Sequence, residues 1–156
     1  MTASVQRLLE DEPATMALGS ELAAAGRGLP RQIVYLHGDL GAGKTTLVRG
    51  MLRALGHAGI VRSPTYTLLE PYDLADRGCL HLDLYRLADA GELDYIGLRE
   101  LLSGPVLVLV EWPERGLGAL PEPDLSITLS YRGTGREAVL EASSDVGARL
   151  LESLPG

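Results

Sequence analysis

The sequence has one cysteine, one lysine and no asparagine, and each shortage excludes a class of protein. With Cys79 as the single cysteine, neither a disulfide framework nor a cysteine-based zinc site is possible. Long apolar runs are also missing, because the longest, VLVLV at 106–110, is far too short to span a bilayer. The acidic N-terminus has no apolar signal-peptide core, so we expect a cytoplasmic protein with no membrane contact.

Positive charge is scarce as well, and the formal net charge is −7. Surfaces that grip phosphate backbones are usually basic, so direct binding of nucleic acid over a broad surface is disfavoured. A chain of 156 residues with 46% hydrophobic content can bury one core of ordinary size. We therefore predict a single domain over residues 1–156.

The most informative stretch, GDLGAGKT at 38–45, fits the pattern G-x-x-x-x-G-K-S/T in full. The strand formers IVYLH at 33–37 precede it. Apolar residues at positions 47, 48, 51, 52 and 55 follow it with the spacing of an amphipathic helix. A strand, a glycine-rich loop and a helix in this order predict a P-loop that wraps a phosphate.

Each constant position of the P-loop has a physical task. Glycines let backbone N–H groups point inward, and the new helix presents its free amides to an anion. Lys44 reaches the β- and γ-phosphates, and the Thr45 hydroxyl ligates Mg²⁺. The other 13 basic residues are arginine, so the single lysine lies where a slim point charge is needed. ATP and Mg²⁺ are thus the predicted ligands.

Two carboxylates are candidates to serve the metal and the attacking water. Glu111 directly follows the apolar run at 106–110, which is the form of a Walker B element. Asp83 lies in the alternating segment LHLDLYRL at 80–87, where the alternative is a solvated residue on a strand face. Which carboxylate ligates Mg²⁺ and which orders water stays open. The predicted catalytic residues are Lys44, Asp83 and Glu111, and the predicted metal ligands are Thr45, Glu111 and Asp83.

The remaining periodicities predict the fold class. A helix starts at Glu12, which Pro13 follows, and a capping box at Asp89 and Glu92 opens another. The segment at 65–72 is expected to be extended. Strands at 125–132 and 137–142 form a hairpin, and a short helix lies near 144–154. Together these segments indicate an α/β fold with a mixed, mostly parallel sheet flanked by helices and a C-terminal β-hairpin.

The sequence disfavours two other kinds of site, a guanine-binding site and a site with histidine ligands. Guanine-specific GTPases read their base with N-K-x-D, which a chain without asparagine cannot supply, so adenine is the favoured base. The three histidines are dispersed, and we expect each to be structural, with His81 the least certain of them.

The motifs HGDLGAGKTTLVRG, SPTYTLLEPY, HLDLYRL and VEWPER, in this order and spacing, resemble a known family. It is the bacterial tRNA threonylcarbamoyladenosine biosynthesis ATPase family (TsaE, formerly YjeE). The resemblance implies slow ATP hydrolysis that partners accelerate, in support of modifying the adenosine beside the anticodon of tRNA. The implied partners are a pair of proteins with a sugar-kinase-like fold, and tRNA is met only indirectly.

The resemblance also implies roles for individual residues. Residues 63–67 would act as switch I and the Trp112 region as switch II, although a packed aromatic is the alternative for Trp112. The phosphate-binding residues would be Gly41, Ala42, Gly43, Lys44, Thr45 and Thr46. The residues on the adenine side would be Asp11, Glu12 and Thr15, and Arg136 would approach the nucleotide.

Two other functions compete with this one. Small-molecule P-loop kinases have similar length, but they need an arginine-bearing lid, and residues 113–124 offer only Arg115. A nucleotide-binding switch or scaffold that does not hydrolyse ATP would carry the same P-loop. Loss of hydrolysis on substituting Glu111 or Asp83 separates an enzyme from such a scaffold.

Overall fold

A seven-stranded sheet runs through the computed structural model, which describes residues 3–155 of the chain. The strands are β1 (Ser4–Leu9), β2 (Gln32–His37), β3 (Leu69–Asp73), β4 (Gly78–Asp83), β5 (Val106–Glu111), β6 (Leu125–Arg132) and β7 (Gly135–Ala142). The helices are α1 (Glu12–Ala25), α2 (Lys44–Ala54), α3 (Glu92–Tyr95), α4 (Leu98–Leu101) and α5 (Asp145–Glu152), with a 3₁₀ turn at Pro113–Gly116.

The strand order is β1-β7-β6-β2-β5-β4-β3. The four central strands, β6, β2, β5 and β4, pair in parallel, whereas the pairs that include β1, β3 or β7 are antiparallel. Strands β6 and β7 form the predicted C-terminal hairpin. The predicted α/β class with a mixed, mostly parallel sheet is therefore confirmed.

Apolar side chains cover both faces of the central strands. Val34 and Leu36 of β2 join the core that α1, α2 and α5 complete, whereas Ile33 and Tyr35 join a second core on the opposite face. Every residue of β5 is buried, as expected for a parallel strand between two layers. Alternate residues of β5 lie on the same face of the sheet. Glu111 therefore faces the α2 layer, as Leu109 does.

Helices α1 and α2 approach closely because each carries a glycine at the crossing. A Cβ placed on Gly19 of α1 would lie 2.5 Å from the Leu47 carbonyl oxygen, and one on Gly50 of α2 would collide with the Met16 backbone. Only glycine permits this separation. The crossing brings the start of α1 beside the start of α2, where the P-loop ends.

Three local expectations were wrong. Residues 65–68 form a turn rather than an extended segment, with Leu68 at a φ of 69°. Strand β4 ends at Asp83, so the strand alternation expected over 80–87 stops there and does not reach Tyr85. The helix predicted from the Asp89 capping box is split into α3 and α4 by Gly97, whose φ of 73° ends a right-handed helix.

Strand β1 at the N-terminus was not predicted. Only Leu9 of this strand is fully buried, so the local apolar pattern is weak. Its place is set by pairing with β7, in which Leu9 opposes Arg136. Among the helices of residues 3–155, none combines the length and apolar character that crossing a membrane requires.

Candidate functional site

The P-loop leaves β2 at His37 and enters α2 at Lys44. Its three glycines, Gly38, Gly41 and Gly43, all adopt positive φ angles, of 149°, 78° and 109°. Gly43 is the N-cap of α2 and supplies no side-chain hydrogen bond, so the first amides of the helix have no protein cap. A strand, a glycine loop with positive φ angles and a helix start without a side-chain cap are the elements of an anion-binding concavity.

Lys44 lies beneath this loop, and only 5% of its surface is exposed. Its ammonium group donates to the backbone carbonyls of Gly38 and, at 3.1 Å, Asp39. It also lies 4.2 Å from the centre of the Trp112 ring. Burial lowers the pKa of Lys44 from its ordinary value, and the negative charge of Glu111 opposes that shift. The ammonium is thus held by weak acceptors that phosphate oxygens can replace.

Glu111, at the end of β5, is 3% exposed and faces the start of α2. The Thr45 hydroxyl lies 3.1 Å from its Oε2 and 3.3 Å from its Oε1. His81 Nε2 lies 2.6 Å from the same Oε2. The predicted Walker B carboxylate is therefore adjacent to the predicted magnesium-binding hydroxyl.

Asp83 ends β4 directly beside Glu111, because the two residues are register partners in the parallel pair of β4 and β5. Its Oδ2 accepts hydrogen bonds from the Ser63 hydroxyl and, at 3.1 Å, from the Thr65 hydroxyl. Its Oδ1 accepts from the Tyr85 backbone N–H at 3.0 Å. Asp83 thus joins the segment at 63–67 to the end of the sheet.

These groups line one open cleft of about 580 Å³, which we call the phosphate-side cleft. Within residues 3–155, no group of three or more His, Cys, Asp or Glu side chains is placed to bind a metal ion alone. Magnesium sites of nucleotide enzymes usually combine one or two carboxylates with substrate phosphates and water. The Thr45 hydroxyl and the carboxylates of Glu111 and Asp83 form a hard, all-oxygen donor set that fits such an ion.

A smaller pocket of about 160 Å³, the base-side pocket, lies on the other side of the loop. The two cavities share Gly41, Ala42, Gly43 and Thr46. The base-side pocket also brings together Asp11, Glu12 and Thr15, which the resemblance placed on the adenine side, and Arg136, which it placed near the nucleotide. One ligand could therefore reach from the carboxylates across the P-loop to β1 and β7.

The side chains of the base-side pocket already have protein partners. Asp11 caps α1 by accepting from the Ala14 N–H at 2.9 Å, and Glu12 pairs with Arg49 at 3.5 Å. Thr15 is 3% exposed. Arg136 donates to the Gly41 carbonyl at 3.2 Å. These contacts hold the side chains in place and so shape the pocket.

Sequence reasoning did not foresee the contacts of two residues in this region. His81 was expected to be structural rather than ligating, and its ring contacts Glu111; its position two residues before Asp83 on the same strand face was the available signal. Tyr131 was not singled out, and its hydroxyl donates to the Leu40 carbonyl of the P-loop at 2.8 Å. No local pattern marks Tyr131, because β6 meets the loop only in the folded chain.

Trp112 follows Glu111 in the left-handed region, with a φ of 58° that is unusual for a bulky residue. Its ring packs against Tyr85, with 5.0 Å between the ring centres, and covers the Lys44 ammonium. Arg115 lies over the rings of Tyr85 and Trp112 at 5.3 and 5.8 Å. The one arginine of the 113–124 stretch therefore packs on aromatic rings beside the cleft.

Comparison with known proteins decides between the families that share a P-loop. Residues 9–138 match the family model described as "Threonylcarbamoyl adenosine biosynthesis protein TsaE". The chain belongs to the TsaE family. The resemblance inferred from the four motifs is confirmed, and the P-loop NTPase fold of this family supports ATPase activity in general.

Individual members of the TsaE family align with almost the whole of this chain. The tRNA threonylcarbamoyladenosine biosynthesis protein TsaE of Haemophilus influenzae is 41% identical, with 96% of this chain and 97% of that protein covered. The protein of the same name from Bacillus subtilis is 36% identical over 90% of this chain and 87% of its own length. The crystal structure of YdiB from Bacillus subtilis superposes with a TM-score of 0.81 at 29% identity, covering 97% and 94% of the two chains.

Proposed function

We propose that this chain binds ATP with Mg²⁺ in the P-loop and hydrolyses it to support the threonylcarbamoyl modification of the adenosine beside the anticodon of tRNA. Membership of the TsaE family supports the role in tRNA threonylcarbamoyladenosine biosynthesis. The observation that carries the enzymatic part is the meeting of Lys44, Thr45, Glu111 and Asp83 in one cleft.

Binding of the triphosphate would fall to the P-loop and α2. Inward amides and the uncapped helix start attract phosphate oxygens. The ammonium of Lys44 would exchange the Gly38 and Asp39 carbonyls for phosphate oxygens, which carry more negative charge. The low exposure of Lys44 strengthens that attraction, since water screens it little.

The Thr45 hydroxyl and the Glu111 carboxylate would hold Mg²⁺, with Asp83 beside them at the end of the neighbouring strand. Bound magnesium neutralises charge on the phosphate oxygens. We assign Glu111 to the metal side, because it contacts the P-loop threonine, and Asp83 to the segment at 63–67, whose hydroxyls it accepts. Asp83 would thereby fix that segment against the cleft and orient the attacking water.

The partner would be a pair of proteins with a sugar-kinase-like fold that carries out the transfer to tRNA. A net charge of −7 supports this division of labour, since tRNA would be gripped elsewhere. We expect slow hydrolysis by the chain alone and faster hydrolysis with the partner pair. The expected location is the cytoplasm.

The test is phosphate release from ATP by the purified chain, with and without magnesium and with and without the partner pair. Wild-type protein should release phosphate only with magnesium and faster with partners, and Lys44→Ala should abolish release. Glu152→Gln, a change of an exposed carboxylate in α5, is the control and should behave as wild type. Equal release by wild type and Lys44→Ala would refute the proposal, and transfer of phosphate to a small acceptor would indicate a kinase instead.

A further inference from the structure

His81 is a fully buried polar residue in the middle of β4, with 0% of its surface exposed. It precedes Asp83 by two positions, so both side chains leave the strand on the face toward α2. Glu111 projects from the neighbouring strand β5 on the same face. The imidazole therefore lies directly beneath the two carboxylates of the phosphate-side cleft.

The ring makes one polar contact, and it is with a carboxylate of the cleft. His81 Nε2 lies 2.6 Å from Glu111 Oε2. An ionised carboxylate can only accept, so the ring donates its Nε2–H. The other nitrogen, Nδ1, is buried and has no hydrogen-bonding partner among residues 3–155. The polar function of this histidine is thus directed entirely at Glu111.

This contact restricts how the Glu111 side chain can turn. Oε2 accepts from His81 on one side, and the Thr45 hydroxyl lies 3.1 Å away on the other. Glu111 itself is 3% exposed, so no bulk water replaces the imidazole when it is removed. With Oε2 held in this way, the orientation of the whole carboxylate toward the cleft is fixed.

We propose that His81 is a positioning residue for Glu111: its Nε2–H holds the carboxylate in the orientation that the nucleotide-bound magnesium ion requires. This inference rests on the proposed function. Hydrogen-bonding partners that orient carboxylate or imidazole ligands typically alter metal affinity or activity by about 10- to 100-fold when removed. A purely structural role would instead change the stability of the fold without a specific effect on magnesium binding.

Three variants separate these two roles. His81→Leu replaces the imidazole with an apolar side chain of similar bulk and so removes the Nε2–H donor. His81→Gln places an amide N–H near the Nε2 position and should rescue. Gln32→Leu is the matched control, because Gln32 is also buried at 3% exposure and donates one hydrogen bond, to the Gly26 carbonyl at 2.8 Å, at the far end of β2.

The measurements are kcat, KM and the gain in ADP affinity that magnesium produces, the last by calorimetry without turnover. We expect His81→Leu to lower kcat and the magnesium-dependent gain by about 10- to 100-fold, with little change in ADP affinity in EDTA. His81→Gln should stay within about threefold of wild type, and Gln32→Leu should match wild type even where its melting temperature falls. Wild-type values for His81→Leu, or equal losses in the control, would overturn the proposal.

If His81→Leu does not fold, His81→Gln is compared with His81→Asn. The asparagine amide reaches only the Nδ1 position, so Asn should be impaired and Gln active, and equal behaviour of the two would overturn the proposal. A wild-type chain that neither binds nor hydrolyses ATP would refute the proposed function itself. The two failures are therefore distinguishable.

Discussion

The phosphate-side cleft and the base-side pocket share the P-loop but are built in different ways. The cleft rests on the ends of parallel strands, where Asp83 and Glu111 are register partners. The pocket depends on the antiparallel pair of β1 and β7, in which Leu9 is the register partner of Arg136. These two residues are separated by most of the length of the chain. The first is assembled from motifs that are each local in sequence, and the second only by long-range pairing.

The two regions also differ in how their polar groups are used. In the cleft, the Lys44 ammonium holds two backbone carbonyls that a phosphate can replace. In the pocket, Asp11 caps a helix and Glu12 is paired with Arg49. If ATP binds as proposed, we expect most of the binding energy to arise at the phosphates and the base to be recognised mainly by shape.

The largest effect is expected from removing the two carboxylates of the phosphate-side cleft. We expect Glu111→Ala and Asp83→Ala each to lower kcat by about 100-fold or more, because under the proposed function each would remove preorganised charge beside the reacting phosphate. Nucleotide should still bind, since the P-loop is intact. Phosphate release and calorimetry measure the two effects.

The control for these variants is Glu114→Ala, which removes a carboxylate that pairs with His37 at 3.4 Å outside the cleft lining. It should retain nearly wild-type turnover. Unchanged turnover in Glu111→Ala and Asp83→Ala would instead favour a non-hydrolysing switch and a contaminating ATPase.

A smaller effect is expected on the base side. Arg136→Ala removes a guanidinium that donates to the Gly41 carbonyl and lines the pocket. A hydrogen bond from a charged group is worth about 1.5–3 kcal/mol, and the lower end of that range corresponds to a fall of about tenfold in nucleotide affinity, with little change in kcat. Titration calorimetry with ATP measures the change. Arg132→Ala, in the same hairpin but paired with Glu137 at 2.8 Å, is the control and should bind normally.

The Tyr131 hydroxyl tests whether the β6–β7 hairpin stabilises the conformation of the P-loop. Tyr131→Phe keeps the ring beside Arg136 and removes the hydrogen bond to the Leu40 carbonyl. The loss of about 1 kcal/mol should weaken ATP binding by about fivefold. Tyr95→Phe, which changes a tyrosine that is 93% exposed, should leave affinity unchanged. Equal affinities for all three proteins would mean that the loop holds its shape unaided.

The smallest expected effect concerns the reactivity of Cys79 in the buried core. Burial raises the pKa of the Cys79 thiol to about 12. The reactive thiolate exists only as the pH approaches that value, so about one thiol in ten thousand is ionised at pH 8. Alkylation at pH 8 should therefore be very slow with or without ATP and become fast only on unfolding. Rapid labelling of the native chain would show that the sheet opens at the start of β4, the end away from the cleft.

Sequence reasoning succeeded where structure is local. The strand, loop and helix around Lys44 follow from glycine spacing and apolar periodicity, and the two acidic strand ends follow from adjacent apolar runs. It failed where a distant partner decides the conformation. Strand β1 exists because β7 pairs with it, and the turn at 65–68 is held where Asp83 accepts the Thr65 hydroxyl. His81 needed the register of β4 with β5 before its contact could be seen.

The proposed function depends on the P-loop binding phosphates, and calorimetry of ATP binding in magnesium buffer tests that most directly. Wild-type protein should bind ATP, and the double variant Lys44→Ala, Thr45→Ala should bind it at least about 100-fold more weakly, because it loses the buried ammonium and the metal-binding hydroxyl. Equal affinity of the two proteins, or no binding by the wild type, would contradict the account.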